Sequence, residues 1–341
     1  MCKIKELNQA NPILVNIVRG KLTESFHRGA YCVIQNEKIL DSAGNIEALI
    51  YPRSALKFFQ VLPLLLLGGK KAFQFTDAEI AVMCASHNAE PYHLNLVSSI
   101  LKKIGCKPAD LACGAHLPMH EKSAFALLKS NTKPSAIHNN CSGKHAGFLA
   151  LAVLNGFDKK NYLNPNSDVQ LLVRNTMSDF FGYALEQNPA AIDGCSAPVY
   201  AMPLHILASG FQRFTDTSEF NQHYNNALKI LKNCITKHPK AIAGTGRYDT
   251  ELMKNAQANL LAKVGAEGIF GIACLRENIG IAIKIDDGKM APQYSVAQQI
   301  LIDLGILSKI QASKLEHWRK ADVKNWNQIK TGYFTTNFTL I

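Results

Sequence analysis

The spacing of apolar residues changes along the chain. Tyr31-Cys32-Val33-Ile34 and the stretch from Ile46 to Tyr51 are short runs rich in β-branched and aromatic residues. They flank a polar Asp41-Ser42-Ala43-Gly44, and predict two strands around a turn. From Ser54 to Leu67 the apolar positions (Ala55, Leu56, Phe58, Phe59 and the leucines) repeat over a wide helical face. Asp77 to Cys84 reads as a second helical piece, Ser86 to Pro91 as a polar loop, and His93 to Ile104 as an amphipathic helix stopped by Gly105. Further helices are expected over Gly143 to Leu154, Val169 to Phe181 and Ala201 to Phe211. Gly268 to Cys274 and Ile279 to Ile285 are strand-like again, followed by a turn at Asp286-Asp287-Gly288 and a terminal helix from Ser295 to Leu304.

Strands near both ends and helices between them predict an α/β fold of the α+β kind. A largely antiparallel sheet would be built from both termini, with a helical layer inserted. We read residues 1–341 as one domain, with a sheet subdomain at about 10–60 and 240–341 and a helical one at about 61–239. With 47% hydrophobic and 18% charged residues the chain can bury a core, which excludes disorder.

Charge narrows the partners. Thirty-seven Lys and Arg against 26 Asp and Glu leave a formal charge of +11, but the lysines come singly or in pairs such as Lys70-Lys71. No basic run is interleaved with aromatics, so a solvated basic surface is favoured over nucleic-acid binding. The longest apolar run, Val61 to Leu67, contains Pro63 and is too short to cross a bilayer. No secretory leader is visible at Met1 to Pro12, and the nine cysteines are scattered from Cys2 to Cys274. Both fit a cytoplasmic protein with reduced thiols.

Four constellations carry candidate chemistry. In Pro52-Arg53-Ser54-Ala55-Leu56-Lys57, Ser54 stands where a helix should begin and Lys57 lies three residues on, on the same face. A neutral lysine can activate a serine, which requires its pKa to fall from about 10.4. Ser-x-x-Lys is also a frequent chance pattern, an exposed cap with a solvated lysine. Cys84-Ala85-Ser86-His87-Asn88-Ala89-Glu90 crowds polar side chains into one loop, suited to proton relay or substrate orientation, though Ser and Asn are ordinary turn formers. Cys141 and His145 are one helical turn apart and, with Cys195, can offer a soft metal site; buried structural thiols are the plainer explanation. Ala243-Gly244-Thr245-Gly246-Arg247 is a glycine-bracketed loop where backbone can approach a ligand. Lys263, just ahead of a strand, can reach a cleft at a sheet edge. Gly143-Lys144 lacks the upstream glycine of a phosphate loop, which disfavours a nucleotide enzyme.

Taken in order, these segments resemble the L-asparaginase II family, the serine-lysine (rhizobial-type, class 3) L-asparaginases. The resemblance also includes Glu24-Ser25-Phe26-His27-Arg28-Gly29, Ile192-Asp193-Gly194-Cys195-Ser196 and Ile281 to Ile285. It implies a fold similar to serine β-lactamases and penicillin-binding proteins, and two Ser-Lys tandems, Ser54-Lys57 and Ser86-Lys263. It also implies zinc at Cys141, Lys144 and Cys195, with no cofactor required for the chemistry, and a homodimer. The chain departs from the family pattern at Ala89, where the loop usually has glycine. If that position needs positive φ, alanine strains the loop.

The expected activity is hydrolysis of L-asparagine to L-aspartate and ammonia. Ser54 would attack, Lys57 would take its proton, Ser86 would pass a proton to the leaving ammonia, and Lys263 would be the second cation. Arg53 and Asp193 are expected to hold the substrate's carboxylate and ammonium, with His87, Gly244 and Thr245 also lining the substrate. Two rivals are an amidase acting on another small amide and a non-catalytic protein that binds asparagine or zinc.

Overall fold

A computed structural model describes residues 10–340, which divide into two compact units. The first contains the chain up to Ala55, Met202–Asp216, and the chain from Ala262 onward; the second contains Leu56–Ala201 and Thr217–Leu261.

The first unit is a mixed α/β layer around one sheet. Its strands are β1 (Ile13–Arg19), β2 (Leu22–Gln35), β3 (Lys38–Ala43), β4 (Leu260–Gly265), β5 (Ile269–Cys274), β6 (Ile279–Ile285), β7 (Asp322–Lys324) and β8 (Lys330–Thr336). They lie in the order β7-β8-β1-β2-β6-β5-β4, with β3 pairing β2 off this path. The sheet is largely antiparallel and draws on both ends of the chain, as expected: Ile283 on β6 stands opposite Tyr31 on β2, and Ile17 on β1 opposite Phe334 on β8. Successive side chains alternate between faces. Phe270 therefore meets Tyr294 of the helix Met290–Asp303, ring centroids 5.9 Å apart. The neighbouring Gly271 lies under the Phe211 ring of the helix Leu204–Gln212.

Several local expectations change. The turn foreseen at Asp41–Gly44 is mostly strand, because the real hairpin turn is Asn36-Glu37, both at positive φ (48° and 63°), which matches the twist of the flanking strands. The strand expected from Ile46 to Tyr51 shrinks to Leu49–Ile50, paired with Met202–Pro203. The helix Met290–Asp303 is not terminal, since β7 and β8 follow it.

The second unit is helical. The helix read from Ser54 to Leu67 is broken into a 3-10 turn Arg53–Leu56, α1 (Lys57–Gln60) and α2 (Leu62–Leu66), because Pro63 cannot donate a backbone bond and must sit in a first turn. α3 (Asp77–Met83) starts at a Thr76–Glu79 capping box, and α4 (Pro91–Lys103) has Glu90 at its N-cap and proline in its first turn. α5 (Ser142–Asn155) is apolar nearly all round and buried over most of its length, so it packs as the centre of the unit, touching α3 and α4. α6 (Asp168–Phe181) and α7 (Gln222–Lys237) begin at Ser167 and Asn221 caps. Among the described residues no helix is long and apolar enough to cross a membrane.

Candidate active site

In the second unit a line of reactive side chains runs inward from the loop after α3. Lys57 is 1% exposed, and its Nζ donates to the Ala85 carbonyl at 2.6 Å and to Ser86 Oγ at 2.9 Å. It also lies 3.1 Å from Cys141 Sγ. Cys141 is the N-cap of α5, and Lys144, one turn into that helix, places Nζ 2.9 Å from Cys195 Sγ. Cys195 sits in a tight turn joining the paired strands Ala190–Ile192 and Pro198–Tyr200, with Ser196 at φ 69°. The lysine-serine contact made here is therefore Lys57 with Ser86, two residues 29 apart in sequence.

Charge along this line is uneven. The hydrogen bond from Cys195 holds the Cys141 thiol well below its ordinary pKa; Lys57 and Lys144 add to this against the penalty of burial. The same hydrogen bond, together with burial, pushes Cys195 up. Burial works against a charged Lys144, but Cys195, Cys141 and Asp193 outweigh it and raise its pKa. His145 is fully buried and desolvation brings it down to about 4; Tyr162 occupies its Nδ1 at 2.7 Å. Two thiols and an amine are chemically suited to a soft divalent ion, and Cys141, Lys144 and Cys195 are the ligands expected from the sequence. Among the described residues no three His, Cys, Asp or Glu side chains form a metal cluster on their own, so the lysine would have to complete the set and lose its proton to do so.

The loop carrying Ser86 is fixed by its surroundings. Ser86 N–H donates to Ile242 O and Asn88 N–H to Ala243 O, each at 2.9 Å, which lays the loop alongside the glycine-bracketed segment. The close backbone approach foreseen for Gly244 is made to this loop. Gly244 has φ 120°, and a Cβ there would stand 2.6 Å from Glu90 Oε1 and 2.7 Å from Asn88 Nδ2. Glu90 in turn accepts from Thr245 N–H (2.7 Å) and Thr245 Oγ1 (2.9 Å) and pairs with Lys240 at 3.2 Å. Ala89 has φ 55°, so the position normally glycine in the family does require the left-handed region here, and its methyl strains a buried turn beside Ser86.

His87 is fully buried with both nitrogens engaged. Nδ1 accepts from Ala89 N–H at 3.1 Å, which leaves the proton on Nε2 to reach Ser142 Oγ at 2.9 Å. Burial, with His93 and Lys57 nearby, keeps its pKa well below the ordinary value. In this arrangement it clamps the loop to α5.

Sequence reasoning places Glu90 in this polar loop without giving it a role of its own. The signal was its place just before Pro91, at a helix start. Burial raises its pKa, but the two bonds from Thr245 and the Lys240 pair bring it down to about 2. Because the folded pKa lies below the unfolded value of about 4.3, this carboxylate stabilises the fold fully above that pH and progressively less as the pH falls toward 2. Glu90→Gln should lower stability at pH 7 by about 1–3 kcal/mol. Its melting temperature should converge on that of the wild type as acid protonates Glu90, which melts at a series of pH values would show.

In the first unit Ser54 is half-buried in the 3-10 turn, and Arg53 before it has φ 53°, with its guanidinium 3.9 Å from Glu267. Lys263 lies on β4, the strand at the edge of the sheet, rather than ahead of a strand. It is fully buried, with Nζ 2.9 Å from Val264 O. Gly265 on the same strand approaches the turn so closely that a Cβ would stand 2.6 Å from Pro52 O. Asp193 and Thr245 belong to the second unit, where Asp193 O accepts from Ser196 N–H and Thr245 is exposed.

Residues 15–336 match the model of a family described as L-asparaginase II. Among solved structures, one whose name proposes a beta-lactamase, from Bacteroides dorei DSM 17855, is 13% identical. It covers 75% of this chain and 84% of its own, with a TM-score of 0.40. No curated protein matches the sequence.

Proposed function

The chain belongs to the L-asparaginase II family and is by that membership an L-asparaginase; on that premise we propose that it cleaves the side-chain amide of L-asparagine by Ser-Lys chemistry. The buried 2.9 Å bond between Lys57 Nζ and Ser86 Oγ carries this reading. It joins a serine to a lysine side chain that is 1% exposed, the pairing that serine-lysine chemistry requires. Ser54, three residues from Lys57 and the more exposed of the two serines, attacks the amide carbon and gives its proton to Lys57. Ser86, 4% exposed, relays a proton to the departing ammonia. Water then releases aspartate from the acyl-enzyme. Lys263 is the second lysine, and Arg53 and Asp193 hold the substrate's carboxylate and ammonium.

Zinc, when bound by Cys141, Lys144 and Cys195, would supply a fixed positive charge next to Lys57 and no step of the hydrolysis. The protein's own residues carry every proton transfer. Paired Cys141→Ala and Cys195→Ala substitution is expected to abolish stoichiometric zinc and leave turnover measurable; wild type that takes up no zinc under metal-replete conditions would remove the site. A cytoplasmic homodimer without nucleic-acid or membrane partners completes the proposal.

A second reading makes Ser86 the nucleophile, since it is the serine bonded to Lys57. Ammonia release from L-asparagine, with L-glutamine alongside, separates them. The proposal expects Ser54→Ala to lose about 10²–10⁴-fold or more in kcat and Ser86→Ala to lose less. A dead Ser86→Ala beside a near-normal Ser54→Ala reverses the roles. Silence from folded wild type on both amides overturns the hydrolase reading.

A further inference from the structure

We propose that the second unit binds a phosphate dianion, free or as the monoester of a small metabolite, in a cavity at the C-terminal end of α7. Its effect on turnover rests on the Ser-Lys reading, whereas binding does not.

The cavity has a volume of about 520 Å³, a size suited to a small molecule, and all its walls belong to the second unit. They come from the end of α7 and the turn after it, the end of the helix Tyr248–Asn255, and the first turn of α4. Lys237, Lys240 and Lys254 line it, and none of the described residues that line it is a carboxylate. Lys237 and Lys254 stand in the last turns of their helices, where a cation is favoured anyway. The negative end of a helix amounts to about half a charge, so each lysine still leaves a positive excess. The backbone gives a second, independent signal. Ala256 (φ −78°, ψ 1°) is right-handed, and Gln257 (φ 51°) and Ala258 (φ 65°) after it are left-handed. That succession turns consecutive N–H groups into a nest, a concavity that takes anions. Among the bonds of the described residues, neither the Gln257 nor the Ala258 N–H donates to a protein atom. Both residues line the cavity, and both hold a side chain in a backbone region that is strained for L-residues, a strain that gathers at ligand clamps.

A phosphate dianion matches this set. Its charge suits the ammonium groups, and its oxygens can accept from two adjacent N–H groups at once. The cavity is larger than the bare ion needs, and Tyr92 and Met253 offer an apolar wall to an organic body. Lys240 links the cavity to the loop carrying Ser86. Its Nζ is 3.2 Å from Glu90 Oε2 and 5.7 Å from the centre of the Tyr92 ring. Glu90 in turn accepts both bonds from Thr245, whose carbonyl accepts from Asn88 Nδ2 at 3.0 Å. An occupant of the cavity competes with Glu90 for Lys240 and so loosens this chain of contacts. Phosphate should therefore slow ammonia release by wild type several-fold.

The test is isothermal titration calorimetry of the full chain with inorganic phosphate and with adenosine monophosphate, against chloride of matched ionic strength. Both anions are expected to bind wild type at a single site. Tighter binding of the monoester assigns a metabolite, and equal binding assigns the free ion. Lys237→Gln combined with Lys254→Gln, at two exposed positions, should weaken binding by about tenfold or more. Lys122→Gln combined with Lys129→Gln removes the same charge from the exposed helix Glu121–Lys129 and should bind as wild type does. Wild type that takes up neither anion at millimolar concentration, or equal weakening in the two double variants, overturns the proposal. Wild type that binds as described but never releases ammonia supports the site and overturns the Ser-Lys reading alone.

Discussion

Replacing Lys57 with methionine is expected to lower kcat for ammonia release from L-asparagine by about 10²–10⁴-fold, the range seen when a general base is removed. Methionine keeps the unbranched stem and fills the same buried space, so the change removes the amine and little else. Stability should also fall, because the Ala85 carbonyl and Ser86 hydroxyl lose a buried partner, at about 1–3 kcal/mol for each group left unsatisfied. A melt by circular dichroism separates that loss from the kinetic one. Lys57→Arg distinguishes a base from a mere positive charge, since a guanidinium donates hydrogen bonds but does not give up its proton. If the arginine variant turns over asparagine at close to the wild-type rate, Lys57 is not the base.

Gly143→Ala should be the most damaging single-methyl addition in α5, and Gly147→Ala one of the mildest. A Cβ at Gly143 would overlap the Val82 carbonyl oxygen and stand 2.8 Å from its carbon, and that backbone is held at the end of α3. A Cβ at Gly147 meets only Met83, at 3.4 Å, whose side chain can turn away. Both substitutions gain the same intrinsic helix preference of about 1 kcal/mol. The difference between them is therefore the clash, about 1–3 kcal/mol for an overpacked site. α5 also carries Cys141 against Lys57, so Gly143→Ala should reduce turnover as well as melting temperature. Equal melting temperatures for the two variants would show that α3 and α5 are not packed as described.

Where periodicity is long and regular, sequence and structure agree closely. Ile279–Ile285 is the strand read from its apolar run, and α6 and the stop of α4 at Gly105 fall where caps and glycines put them. Agreement fails where short-range signals compete. The stretch 54–67 has one helix's worth of apolar residues, but Pro63 breaks its hydrogen-bond ladder into pieces. The 330–336 strand is half-exposed and polar in places, so its pairing with β1, not its composition, makes it a strand. The same holds for the site. Ser54, Lys57, Ser86, Lys263, Cys141, Lys144 and Cys195 could be named from motifs, whereas Glu90 could not be given its role, because its partners lie about 150 residues away at Lys240 and Thr245.

The sequence by itself determined the family, L-asparaginase II over residues 15–336, and with it the reaction. It also determined that strands near both ends flank helices along the chain, since hydrophobic period is a local property. Tertiary structure alone decided which lysine meets which serine. Spacing three apart pairs Ser54 with Lys57 on any helix, but the fold carries Lys57 to Ser86 and Cys141, residues 29 and 84 positions away. Contacts of that kind are set by how helices and loops pack around a buried charge, which must find partners wherever the chain can supply them.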